Sequence, residues 1–365
     1  MDSKRTFAVH GCVVSLAALA LAAGLVACEE DVTVEAPATA PQITTTQSYA
    51  KASNGLPNND VYALLTLSNG EFWVGTDQGI ARYPSVDATV RSGLYDELNG
   101  LPSRRVRDIV EMSGKVYVAT WGGGLGIYDI AGGTWTSKTT ANGLRAMEIT
   151  DLEPSPTENR IYVATSNQVS ILNAGTGTFT SFLLATRPVV SAISVRDVAS
   201  GIERWYAPRI ESIEVDPTLE APGITVSKGA SVYDMTVENS GLPEPCVTSI
   251  YYDAVASEFW VALCTKGVCK VNVESSEWTV YTDANGLPSN TVYGITRANN
   301  VIWVATQNGV ARQKSNGSWQ GYNSGGGLAA DRVRRVYSDD GQRLWIGYIS
   351  AGAARLNPSS AQGGS

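Results

Sequence analysis

One stretch of sequence recurs along this chain and constrains its fold more than any other feature. Between Asn285 and Arg312 it reads NGLPSNTVYGITRANNVIWVATQNGVAR. It holds a turn at Asn285, Gly286, Leu287 and Pro288, an apolar run from Val292, a polar turn at Asn299 and Asn300, a second run from Val301, and a third opening at Gly309. Short apolar runs separated by tight polar turns fold as antiparallel hairpins, so each unit supplies three consecutive strands. The pattern starts again at Asn54, Asn99, Asn142, Ser240 and Gly326. A period of roughly 40 to 45 residues with several strands per unit predicts a ring of blades in place of one twisted sheet.

A fourth, outer strand precedes each turn and is clearest at 134–140, 277–282 and 318–322, which contain Trp135, Trp278 and Trp319. The run 46–52 matches these in position but has no inner strands ahead of it, while the last repeat ends at Leu356 with no outer strand behind it. The N-terminal strand is therefore expected to complete the last blade, which removes the free edges of an unclosed ring. Between Asn142 and Ser240 there is room for two units, and a degraded one is legible as 189–195, 203–208, 212–216 and an outer strand near 232–237, with the excursion DPTLEAPG before the last. The expectation is an all-β, seven-bladed propeller of four-stranded antiparallel blades over 46–357, with 358–365 a disordered tail. Trp73, Tyr117, Tyr162, Trp205, Trp260, Trp303 and Trp345 fall once per blade and are read as packing between blades.

The pattern NGLPxNxVxxI, followed by a polar turn and a W-V-G-T run with Gly three residues on, resembles the two-component-regulator propeller repeat. The resemblance covers nearly everything from Ser48 to Asn357. It implies a propeller of the kind found in periplasmic sensor regions of bacterial hybrid histidine kinases and in stand-alone propellers. It speaks to fold, because one propeller scaffold hosts unrelated activities.

Lys4 and Arg5 precede an apolar stretch from Phe7 to Val26, and Leu25-Val26-Ala27-Cys28 looks like a bacterial lipobox. Residues 1–27 are thus expected to be a signal, the alternative being an ordinary signal peptide cut nearby, with Cys28 lipidated as the membrane anchor. Glu29 after that Cys favours, by resemblance to lipoprotein sorting signals, the outer membrane over the inner one. Residues 28–45 are acidic and then rich in Pro, Ala and Thr, and are read as a flexible tether. Losing residues 1–27 moves the formal charge from −8 to −9, which opposes nucleic acid and anionic headgroups as partners. After Leu356 the sequence ends in NPSSAQGGS, so no coupling domain, spanning helix or kinase is expected in this chain.

The single histidine, His10, lies in the signal, which argues against Ser-His-Asp and Cys-His catalysis and His-ligated zinc. No cofactor or metal is expected. The WGGGLG run at Trp121 opens a strand and not a helix, and Asp339-Asp340-Gly341 is read as a hairpin turn. Cys246, Cys264 and Cys269 fall in the fifth blade and are expected to form one disulfide and leave one thiol, with the pairing open.

Function on a propeller sits in the loops around the channel mouth. Aligning Val61, Val106, Ile149, Val190, Val247, Val292 and Val333 makes the two preceding residues the rim: Asn59 and Asp60, Arg104 and Arg105, Met147 and Glu148, Pro188 and Val189, Pro245 and Cys246, Asn290 and Thr291, Asp331 and Arg332. Loops between second and third strands add Asp77, Gln78, Trp121, Asn167, Gln168, Arg209, Lys266, Gln307, Asn308 and Tyr348. The ligand-site candidates are Asn59, Asp60, Arg104, Arg105, Trp121, Glu148, Asn290, Asp331, Arg332 and Tyr348. Trp121, among glycines, is either a stacking platform or a plug over the channel. The leading expectation is a non-catalytic, lipid-anchored, monomeric recognition ring that binds an envelope protein, a peptide or an oligosaccharide. The alternatives are a glycosidase or lyase using Asp60, Asp77, Glu148 and Asp331, and a structural subunit of an envelope complex.

Overall fold

The computed structural model describes residues 41–182, 190–198, 201–208, 223–228, 231–272 and 275–362. They form seven four-stranded antiparallel sheets. Blade 1 comprises Val61–Thr66, Phe72–Thr76, Gly79–Tyr83 and Gly93–Tyr95, and blades 2 to 6 repeat this order along the chain. Blade 7 takes Val333–Tyr337, Leu344–Tyr348 and Ala353–Gln362 from the end of the chain and Gln42–Tyr49 from its start. The innermost strand of every blade lies against those of its two neighbours, blade 7 against blade 1 included, so the ring is closed.

The closing strand pairs Tyr49 with Ala353, Ser48 with Ala354 and Gln42 with Gln362. It spans 42–49 and not 46–52, so the tether gives up 42–45, and 358–362 are strand and not tail. The sequence QITTTQSY reads as linker by composition, yet it alternates with Ile43 and Tyr49 buried, and its β-branched Thr residues suit the exposed face of an edge strand. Blade 4 also differs from expectation. Its third strand is Ile224–Lys228, with Val226 opposite Trp205, so the Pro-rich excursion precedes the third strand and not the fourth. The candidate 212–216 lies outside the described residues. Ile224 and Val226 are wholly buried, and this burial decides the assignment between two similar apolar alternations.

The recurring Asn-Gly-Leu has a local cause. In three blade-to-blade connections a one-turn helix ends at this triplet, and the Asn side chain accepts the N–H that opens the turn: Asn99 from Asp96 at 2.7 Å, Asn142 from Thr139 at 3.0 Å and Asn285 from Thr282 at 2.9 Å; where the triplet is Ser240-Gly241-Leu242, the preceding Asn239 accepts from Thr236 at 2.8 Å. The Gly then turns left-handed, with φ of 99° at Gly286, where a Cβ would lie 2.3 Å from the Trp319 carbonyl oxygen. The Leu plugs the space between blades, and Leu56, Leu101, Leu144, Leu242, Leu287 and Leu328 are all buried. Gly286→Ala should therefore cost about 2 kcal/mol through backbone strain and collision. A urea midpoint unchanged from the parent would refute this account of the turn.

All seven blade-repeating aromatics are buried to 1 % exposure or less. Trp73, Trp205, Trp260 and Trp345 meet rings of the neighbouring blade, as in the Trp205–Phe259 stack at 4.1 Å and the Phe72–Trp345 contact at 4.4 Å. The core thus lies between blades, and ring closure is what buries its last interface.

Candidate ligand site in the central channel

In each blade the register between the inner strand and the next slips between the first and third residues of the inner strand, for example between Val61 and Ala63 and between Val106 and Asp108. The same slip recurs in the other five blades. An extra residue in a bulge re-aims side chains out of strict alternation. Here the second or the third residue of each inner strand lines the channel, and in blades 3, 5 and 7 both do. They assemble a cavity of about 400 Å³. The second residues of six inner strands contribute Tyr62, Arg107, Thr150, Thr248, Tyr293 and Arg334, the third residues contribute Asp151, Ala192, Ser249 and Arg335, and Trp121, Cys246, Val247 and Cys264 complete the wall.

Arginines and aromatics organise one side of this wall. The guanidinium carbons of Arg107 and Arg334 each lie 4.3 Å from the Tyr62 ring centroid, and that of Arg107 also lies 5.8 Å from the Trp121 ring. Arg107 donates to Asp77 at 2.9 Å. Arg335 reaches from blade 7 to Asp108 of blade 2 at 3.0 Å. The carboxyls also serve the backbone: Asp108 accepts the Leu152 N–H at 3.2 Å and Asp151 the Ile193 N–H at 2.9 Å, each from the following blade. N–H groups along the inner strands thus find side-chain acceptors in the neighbouring blade.

Deeper in the ring sits Glu153, whose carboxyl is pushed up to about 8 by burial, and further by Asp108, against the opposing pull of the Val195 N–H and Arg335. Asp151 is raised well above the usual carboxylate range, first by burial and then by Asp108, with Arg335 opposing. An acid whose folded pKa is raised binds its proton more tightly when folded. Its stabilising effect is full below the unfolded value near 4.5 and is lost as pH rises through 8. Full conversion at about 1.4 kcal/mol per pH unit overstates the loss, because the Glu153 side chain stays partly open to solvent. We expect stability to fall by about 2 kcal/mol between pH 5 and pH 9 and Glu153→Gln to flatten that fall. Parallel pH profiles of the two proteins in urea would contradict it.

Of the expected rim and loop residues, Cys246 and Trp121 belong to this wall, and most of the other described ones fasten loops. The carbonyls of Asn59, Arg104, Met147 and Asn290 accept N–H groups of Gly352, Gly79, Gly124 and Gly267 in the preceding blade, at 2.8–3.0 Å. Those of Arg105, Glu148 and Arg332 accept from Trp121, Ser166 and Ile349 within their own blade. Side chains follow suit. Asn59 accepts the Lys51 N–H, Asp60 that of Ser350, Asn290 that of Asp283 and Asp331 that of Ser324, and Glu148 accepts the Ser166 hydroxyl. The Ser324 N–H holds the Asp331 carboxyl below its usual range. Arg104, Arg105 and Arg332 are exposed, with Arg105 3.7 Å from Asp77.

Of the ten ligand candidates, Trp121 lines the cavity. Tyr348 needs correction: it is the last residue of its strand, wholly buried, and its hydroxyl accepts the Ala329 N–H at 3.0 Å, so it is core and not rim. Its phenol is pushed up to about 12 by burial. Pro188, Val189, Arg209 and Cys28 lie outside the described residues. Cys246 and Cys264 form the disulfide, with Cα atoms 5.6 Å apart, and Cys269 is the buried thiol, its pKa raised by burial. The bridge clasps the lead-in of the inner strand of blade 5 to the end of the strand beside it, at the cavity wall. Among the described residues no group of three or more His, Cys, Asp or Glu side chains is arranged to hold a metal ion.

The rim expected from the sequence was placed at the two residues before each inner strand, whereas most of the channel residues lie inside it. A signal for them exists. Arg107 with Asp108, Asp151, and Arg334 with Arg335 interrupt apolar runs at two adjacent aligned positions.

The sequence profile of the two component regulator propeller matches residues 55–78. No match is found among curated proteins. Among solved structures, the chain superposes on the extracellular domain of BT3049, assigned to a hybrid two component system of B. thetaiotaomicron, with a TM-score of 0.68 and 17 % identity over 87 % of this chain and 42 % of that one. It thus spans less than half of that domain. Virginiamycin B lyase from Staphylococcus aureus is similar at a TM-score of 0.62 and 15 % identity, over 84 % of this chain and 97 % of the lyase. PorZ, a surface component of the type-IX secretion system of Porphyromonas gingivalis, is similar at 0.60 and 13 %, over 82 % and 37 % of the two chains. Identities this low establish the shared fold.

Proposed function

Given a match to the two component regulator propeller at residues 55–78 and a ring with the fold of extracellular domains assigned to hybrid two component and one component systems, we propose that this chain is a non-catalytic recognition propeller of the cell envelope that binds a ligand in the mouth of its channel. One observation carries the reading. The interblade core repeats from blade to blade, whereas the channel-facing residues at the start of each inner strand do not, and these unequal residues build an asymmetric cavity with aromatic walls. The lipobox at Cys28 and the Cys246–Cys264 bridge support an envelope location, since such bridges persist in oxidising compartments. Among the described residues no helix is long and apolar enough to cross a membrane.

Cross-linking in intact cells and a glycan array test the reading together. A protein, peptide or oligosaccharide partner whose capture is lost in Trp121→Ala supports it, and empty results in both dispose of it. Palmitate labelling lost in Cys28→Ser tests the anchor. A second reading, a carboxylate-dependent lyase or glycosidase, draws on the raised Asp151 beside Arg335 in the same cavity and on the fold shared with virginiamycin B lyase. Turnover of a polysaccharide or lactone panel that stops in Asp151→Asn would favour it. The four acids first singled out support it less, because Asp60, Glu148 and Asp331 hold loop serines and Asp77 is paired with Arg107.

A further inference from the structure

The charge of the cavity differs from that of the chain around it. The protein is acidic, with a formal charge of −8, yet three guanidinium groups face one small space. Two of them are matched, Arg107 by Asp77 and Arg335 by Asp108. Arg334 has no carboxylate partner among the described residues, and its buried Nε has no hydrogen-bond partner. The remaining acid of the wall, Asp151, already accepts the Ile193 N–H. Stacking on Tyr62 steadies Arg334 but leaves its charge uncompensated. An unpaired, partly desolvated cation is costly unless something supplies the counter-charge.

Resting on the reading that the channel mouth is a ligand site, we propose that its ligand is an anionic sugar, a hydroxylated ring bearing a carboxylate or sulfate, with the anion held by Arg334. A planar guanidinium fork matches such an oxyanion with paired N–H donors. The Ser249 hydroxyl on the wall offers a partner for ring hydroxyls, those of Thr150 and Thr248, which donate to the Ala164 and Val292 carbonyls, can act there as acceptors, and Trp121 offers a face for stacking. The cavity volume of about 400 Å³ lies in the lower range of small-molecule sites.

Calorimetry on the full chain with D-glucuronate, D-glucose 6-sulfate, inorganic sulfate and D-glucose tests this, with tryptophan fluorescence as a second readout. At least one of the two sugar anions should bind at least about tenfold more tightly than glucose and than sulfate, the scale of one charged hydrogen-bonded contact. Affinity should fall with added salt. Arg334→Gln should lower it about tenfold or more, and Arg334→Lys, which keeps the charge without the planar fork, should fall between. Circular dichroism on both variants separates lost binding from lost folding. Equal affinity for glucose overturns the anion, equal affinity for inorganic sulfate overturns the ring, and no binding of either sugar anion overturns the inference outright. None of these results removes the recognition reading, which fails separately if cross-linking and the array are both empty.

Discussion

Deleting residues 42–49 should abolish the folded monomer. The strand hydrogen-bonds along Ala353–Gln362 and brings Ile43 and Tyr49 into the core. Tyr49 packs against Phe72, Tyr83 and Trp345 at centroid distances of 5.6, 4.5 and 5.9 Å, and its hydroxyl donates to the Val86 carbonyl at 2.8 Å. Those partners belong to blades 1 and 7, so one side chain seals the last interface. Gly327 and Gly352 are moulded to this strand, since a Cβ on either would lie 2.4 Å or less from a carbonyl oxygen of Ile43 or Tyr49. Without it, a strand with a buried apolar face is left as an open edge, which pairs with other chains. A domain of this kind is stable by only about 5–15 kcal/mol, and Tyr49→Ala alone should cost about 3–5 kcal/mol. Size exclusion of the deleted chain should show aggregate. A monomer with the parent's urea midpoint would end the claim that the N-terminal strand closes the ring.

Replacing Arg297 by Ala should cost about 3–5 kcal/mol, the typical penalty for leaving one member of a buried ion pair. Asp253 of blade 5 is 1 % exposed and receives two guanidinium bonds from Arg297 of blade 6, the Nε one at 2.9 Å. Arg297 also donates to the Asn300 carbonyl at 2.8 Å, which ties the pair to the adjoining hairpin turn. Removing both charges with Asp253→Asn and Arg297→Gln should recover a good part of the loss, because the stranded carboxylate accounts for most of it. If the single and double variants unfold at the same urea concentration, the pair does not couple the two blades.

The repeat was legible because its residues act locally. Asn285 caps its own turn, Gly286 takes a left-handed φ, and Leu287 is apolar in every copy save the degraded one, so spacing alone yields blade number and strand order. The aromatics were legible for a related reason, since one large buried ring per blade has no role more general than filling the wedge between blades. Blade 4 was only half legible. Two runs alternate suitably near its excursion, and burial beside Trp205 selects Ile224–Lys228. The closing strand was legible in kind but misplaced by several residues, because its polar half contributes few apolar side chains to a pattern.

The site was less legible, because it depends on departures from pattern. Its wall is set by bulges that turn the second or the third residue of an inner strand, or both, to the axis, and bulge formation is settled by how seven strands converge. Tyr348 shows the opposite error: as the last residue before a loop it reads as rim, yet its hydroxyl reaches the Ala329 N–H inside the fold. Which cysteines pair was also beyond spacing, since the bridge joins the lead-in of one strand to the end of its neighbour.

Local chemistry written in the chain decided that it forms short strands, how many, and that the ends must meet. The meeting of Arg335 with Asp108, 227 positions apart, and the stacking of Arg107 and Arg334 on Tyr62 exist only once the ring has closed. Contacts across a channel depend on the radius and register of the whole circle, which no window of sequence contains.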